Sequence, residues 1–151
     1  MTHFRSVYVQ AGLAVAAALG LSIAALPPTI ANARALAPLV TVTPSVDLPA
    51  TADVSVDISG FTAGDAVVVQ ECAQVATDVY DCDSDHAEPL TLDDQGAGTT
   101  TLTVRRVFAA HDASGNPVGD IDCTTVALGC AVAVGDAQGG TGAAISFAAD
   151  Q

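Results

Sequence analysis

The residues best equipped for chemistry fall in two short stretches. "DCDSDHAE", residues 81–88, sets Asp81, Asp83 and Asp85 at alternate positions ahead of His86, and His111-Asp112 supplies the other imidazole found after residue 35. Alternate carboxylates invite a calcium reading. The EF-hand template needs a glycine where His86 stands and a glutamate where Leu92 stands, so that template fails. A solvated acidic loop is the reading taken, with no metal assigned. A hydrolase would need His86 or His111 to activate a serine such as Ser84, Ser114 or Ser146, yet no G-x-S-x-G elbow is present. Neighbours on a strand face opposite ways, so Asp112 is badly placed to orient His111. No residue is therefore assigned a catalytic role, and the chain reads as a non-enzyme. Arg105-Arg106 falls out of step with the alternation of residues 99–104, which predicts one arginine pointing outward and the other meeting an acidic partner or the strand end. No glycine cluster follows a strand and opens a helix, which removes phosphate-loop readings.

What must position these side chains starts after a removable leader. Arg5 precedes an uncharged apolar run from Val7 to Leu26 that Pro27-Pro28 breaks, the pattern of a secretory signal covering residues 1–35. Cleavage falls after Ala33 or Ala35, leaving a domain at 36–151 and a secreted, extracellular product. The run is about 20 residues long, so an uncleaved membrane anchor is the alternative. All seventeen acidic residues lie after residue 35, with only Arg105 and Arg106 to offset them, giving the mature chain a net charge of −15. Such a polypeptide is repelled by nucleic acid and by anionic membranes. The charge serves solubility and would also attract basic proteins.

Four cysteines, Cys72, Cys82, Cys123 and Cys130, sit in two close pairs behind an export signal, which argues for two disulfides. Three connectivities exist. Nearest-neighbour pairing closes two short loops worth about 2.5–3 kcal/mol each in the chain-entropy model. The spacings do not resemble structural zinc sites.

Period-two apolar runs mark strands: Val40 and Val42; Val54, Val56 and Ile58; Leu102 and Val104; Ile145 and Phe147. Turn clusters such as Asp93-Asp94-Gln95-Gly96 and Ser114-Gly115-Asn116-Pro117 punctuate them. Helical periodicity is missing after the leader. The pattern predicts an all-β, antiparallel sandwich with "ADVSVDIS" burying its valines and exposing Asp53, Ser55 and Asp57. With no tryptophan after residue 35, the core is valine-rich, and each cystine clamps a local loop where binding residues usually sit.

"CAQVATDVYDC" at 72–82, "LTVRRVF" at 102–108, "DCTT" at 122–125, "AAISF" at 143–147 and the opening "VTVTP" at 40–44 together resemble the neocarzinostatin family over residues 36–148. The resemblance implies a seven-stranded immunoglobulin-like sandwich with a small two-stranded ribbon tied by Cys72–Cys82, with Cys123–Cys130 also beside the ligand cleft. It implies a monomeric, secreted carrier apoprotein that protects a small apolar chromophore of enediyne type, bound non-covalently, with no enzyme cofactor. DNA damage and antibacterial action would belong to the released chromophore, not to the polypeptide. By this mapping Tyr80, Val79 and Phe108 are the apolar cleft candidates, with Gln74, His86, His111, Ala131 and Gly135 lining the rest. Gln74 stands where a relative carries a ring, which opens the alternative of an acidic, immunoglobulin-like interaction module that has lost its chromophore.

Overall fold

The alternating runs become strands because each must hide one face and wet the other. The computed structural model describes residues 37–136 and 139–149. Ten strands run through them: β1 (Leu39–Thr43), β2 (Thr51–Ser59), β3 (Ala66–Ala76), β4 (Val79–Cys82), β5 (Glu88–Thr91), β6 (Gly98–Arg105), β7 (Val107–His111), β8 (Pro117–Asp122), β9 (Cys130–Asp136) and β10 (Gly139–Ile145). A short 3-10 turn at Ser84–His86 separates β4 from β5. The proposed leader, residues 1–35, lies outside the described residues. Among the described residues no helix is long and apolar enough to cross a membrane.

Two antiparallel sheets form the sandwich. One has three strands in the order β1-β2-β6; the other follows β10-β9-β3-β4-β7-β8, with β5 also paired to β3. The immunoglobulin-like double layer expected from sequence is present, and its ribbon is part of the larger sheet. β4 pairs with β3 along the cystine arm and touches β7 through Cys82 and His111.

Between the sheets, Val54, Val56, Ile58, Leu102 and Val104 face Val67, Val69, Val132 and Val134. As expected, Asp53 and Asp57 stay exposed, while Ser55 is half-buried. Leu48 and Leu92 join the core from outside the alternating runs. Leu48 is held by backbone bonds, its N–H to Ser146 and its carbonyl from Ala148, at 3.0 and 2.8 Å.

Aspartates build several of the turns. Asp93 Oδ1 accepts the N–H groups of Gln95 and Ala97 at 2.8 and 2.9 Å. Gly96 closes that turn at φ +70°, where an added Cβ would collide with the Phe61 carbonyl oxygen. Asp112 accepts from the N–H groups of Ser114 and Asn116, at 2.8 and 2.9 Å. Part of the acidic excess thus shapes the backbone.

Both cystines pair nearest neighbours, Cys72 with Cys82 and Cys123 with Cys130. The β3–β4 arm has too little core of its own to hold its shape. Replacing Cys72 and Cys82 by alanine should therefore lower unfolding free energy by about 2.5–3 kcal/mol, and amide exchange should show β4 losing protection before the sandwich does.

Candidate ligand groove

β3 carries two functions on its two faces. Val67 and Val69 point into the core, whereas Val68, Gln70 and Cys72 point away from it. Register then fixes their neighbours: Val68 lies beside Gly135, Gln70 beside Ala133 and Cys72 beside Ala131, and one strand further Gly140 pairs with Gly135 and Gly142 with Ala133. The outer face of β3, β9 and β10 is consequently a shelf of small side chains. Tyr80 and Cys82 of β4 rise along its edge.

The result is an open groove of about 800 Å³, lined from β3, β4, β9 and β10, with Asp136 and Gly139 at one end and the Cys72–Cys82 cystine at the other. Its walls are mainly apolar. Polar atoms come from Gln70, Tyr80, Thr141 and Asp136, and among the described lining residues none is cationic. The glycines hold the shelf flat for a steric reason: a Cβ on Gly140 would sit 2.6 Å from the Val134 carbonyl oxygen of the adjacent strand.

Of the residues singled out from sequence, Tyr80, Ala131 and Gly135 line this groove. Gln74 lies opposite Tyr80 beyond the lining, its N–H donating to the Gly129 carbonyl at 3.0 Å. Val79 is exposed and pairs with Ala76 just past the bulge in the β3–β4 ladder. Phe108 is not on the groove: it is 3 % exposed in the core, because it continues the inward parity of Leu102 and Val104 through the crossover at Arg106. His86 and His111 also fall outside the lining. His86 Nδ1 contacts both Asp83 carboxylate oxygens at 2.9 Å, and His111 pairs with Cys82 across strands. Val68, Gln70, Ala133, Gly140 and Gly142 line the groove as well, and the signal that marks them is outward parity on β3, β9 and β10.

The acidic stretch at 81–88 differs from its expectation as a solvated loop. Asp83 is 3 % exposed, accepts from His86, and has Arg105 Nη1 at 3.6 Å. No group of three or more metal-ligating side chains occurs among the described residues. Both arginines meet acids, Arg106 Nε lying 3.9 Å from Asp122. Asp112 is turned into its own loop; the N–H groups of Asn116 hold its carboxyl below the usual range, so it does not orient His111.

Glu71 is the other buried acid, 2 % exposed on the core face of β3. Its Oε2 accepts the Arg105 backbone N–H at 2.7 Å, and Cys123 Sγ lies 3.8 Å from Oε1. Burial raises its pKa to about 7, against the partial offset of that hydrogen bond.

A sandwich whose cystine-tied arm edges an open apolar shelf is the architecture of a small-molecule binding protein. The neocarzinostatin family model matches residues 40–148, so the chain belongs to that family. It is 36 % identical over 141 residues to macromomycin of Streptomyces macromomyceticus, covering 92 % of this chain and 93 % of that protein. It is 34 % identical over 116 residues to the antitumor antibiotic C-1027 apoprotein of Streptomyces globisporus, covering 77 % of each. The solved structure of macromomycin superposes with a TM-score of 0.69 at 37 % identity, over 74 % of this chain and all of that one.

Because the Glu71 pKa is raised on folding, the native state holds this proton more tightly than the unfolded chain. Its contribution to stability is most favourable below pH 4.5 and falls as pH rises toward about 7. Glu71→Gln keeps an acceptor for Arg105 and removes the charge. The variant should be more stable than wild type at pH 8 by up to about 3 kcal/mol, with the difference vanishing near pH 4 in urea titrations.

Proposed function

We propose that this protein is an exported carrier apoprotein that holds a small apolar natural product of enediyne type, non-covalently, against the outer face of β3, β9 and β10. The observation that carries this reading is the groove itself. Its size lies within the range of small-molecule sites, and a preformed apolar surface on a rigid sheet spares the ordering cost of binding. Family membership supports the same reading, since one relative is named as an antibiotic's apoprotein.

The lining also restricts the guest. With small residues on the shelf and Tyr80 as its ring, contact comes from broad apolar area more than from aromatic stacking. With Asp136 at one end and no cation in the described lining, a neutral or cationic guest is favoured over an anionic one. The polypeptide acts as a monomeric, extracellular container without catalysis. Any DNA cleavage or antibacterial action belongs to the guest, because the chain without its leader, at net charge −15, does not approach DNA unaided.

Protein purified from its producing host should bring down an absorbing compound that organic solvent extracts and mass spectrometry detects; a colourless protein with nothing extractable would contradict the reading. Tyr80→Ala should speed release of that compound by roughly tenfold, the equivalent of about 1.4 kcal/mol, in stopped-flow dilution.

A further inference from the structure

Container function leaves one buried feature unused, the charged cluster behind the ribbon's root. Glu71 sits between Gln70 and Cys72, both of which line the groove on the opposite face of β3. Its carboxylate accepts the backbone N–H of Arg105, the last residue of β6 in the other sheet. The Arg105 guanidinium reaches back to Asp83, 3.6 Å away. Asp83, next to Cys82 of the ribbon, closes the circuit by donating its backbone N–H to the Glu71 carbonyl at 2.8 Å. Three links therefore join the smaller sheet, the groove's floor strand and the foot of the ribbon.

The circuit is unbalanced in charge. One guanidinium, in contact with Asp83, stands against two buried carboxylates, Asp83 and Glu71. The remaining ionisable neighbours are His86 on Asp83, Asp81 and His111 flanking Cys82, and the Arg106–Asp122 pair at the crossover, where the Cys123 N–H donates to the Arg106 carbonyl at 2.8 Å. β9 faces Glu71 with Val132. An ionised Glu71 is thus surrounded by valine, a cystine sulfur and a second carboxylate, and its hydration requires the root of the ribbon to open.

Resting on the carrier reading above, we propose that Glu71, Asp83 and Arg105 form a proton-operated latch on the groove. With Glu71 protonated the cluster holds one carboxylate against one guanidinium, and the ribbon stays seated along the shelf. Loss of the proton leaves a second buried negative charge, which water reaches by loosening β4 and the 83–86 turn, and the guest escapes past Tyr80. The direction is retention in acid and release toward alkaline pH. Burial on β3 puts the transition near pH 7.

Two independent measurements on the intact protein test this. The first is the exchange protection of the Asp83 and Arg105 amides without a guest, corrected for the intrinsic pH dependence of exchange. The second is the dissociation rate of the neutral apolar dye N-phenyl-1-naphthylamine. Between pH 5.5 and 8.5 both protections should fall and dye release should accelerate, by at least about tenfold, the equivalent of one pKa unit. Glu71→Gln should hold both at their acid values across the range. His86→Gln should keep the wild-type slopes. Slopes surviving in Glu71→Gln, or vanishing in His86→Gln alone, would overturn the latch. If the dye fails to bind at every pH, the carrier reading fails, while the amide slopes and their loss in Glu71→Gln still decide whether the cluster opens with loss of the proton. Dye release that ignores pH while the amides respond would show that the cluster does not govern the groove.

Discussion

The alternation of a single strand governs most of this molecule. β3 runs through eleven residues, Ala66–Ala76, and each step from Ala66 to Ala73 assigns a side chain either to the core or to the groove. Val67 and Val69 anchor the sandwich, Val68 and Gln70 floor the site, and Cys72 ties on the arm that walls it. A register slip of one residue would exchange the two sets, placing Gln70 in the core and two valines on the shelf. Stability and binding surface are therefore set by the same hydrogen-bonded ladder, with β9 on one edge and β4 and β5 on the other.

The groove's form follows from what its strands lack. Alanine and glycine at 131, 133, 135, 140 and 142 leave space that larger side chains would fill, and in the middle of a sheet such residues cost conformational entropy and contribute little packing. The fold offsets that weakness with a valine core beneath and a cystine at each of two loops. The same economy explains the acids. Asp93, Asp112 and Asp122 stabilise turns, and Asp122 is held below its usual range chiefly by the Thr124 hydroxyl. These roles require no protein partner.

Much of this was legible in the residues, though unevenly. Period-two valines in "ADVSVDIS" and the paired cysteines carried the double layer and its covalent arm, because alternation and loop closure are local properties. The shelf was less visible, since small outward residues have no pattern apart from the parity of their inward neighbours. The family resemblance implies a cleft position for Phe108, yet the chain passes from β6 to β7 at Arg106 without changing which parity faces inward. Asp83 looked solvated among other aspartates; its burial depends on Arg105 and Glu71, both distant in sequence, and local composition cannot reveal such a pairing. Glu71 lay hidden because the consecutive valines 67–69 before it carry no period-two signal to say which parity turns inward.

The central claim is that a guest lies on the outer face of β3, β9 and β10. Amide chemical-shift mapping during titration with a neutral polycyclic hydrocarbon guest tests it most directly. The account predicts that the largest changes fall at Val68, Gln70, Ala131, Ala133, Gly135 and Tyr80, with the sandwich valines moving little. Saturable changes confined to the exposed tip around Val75, Val79 and Leu128, with the shelf residues unmoved, would contradict it.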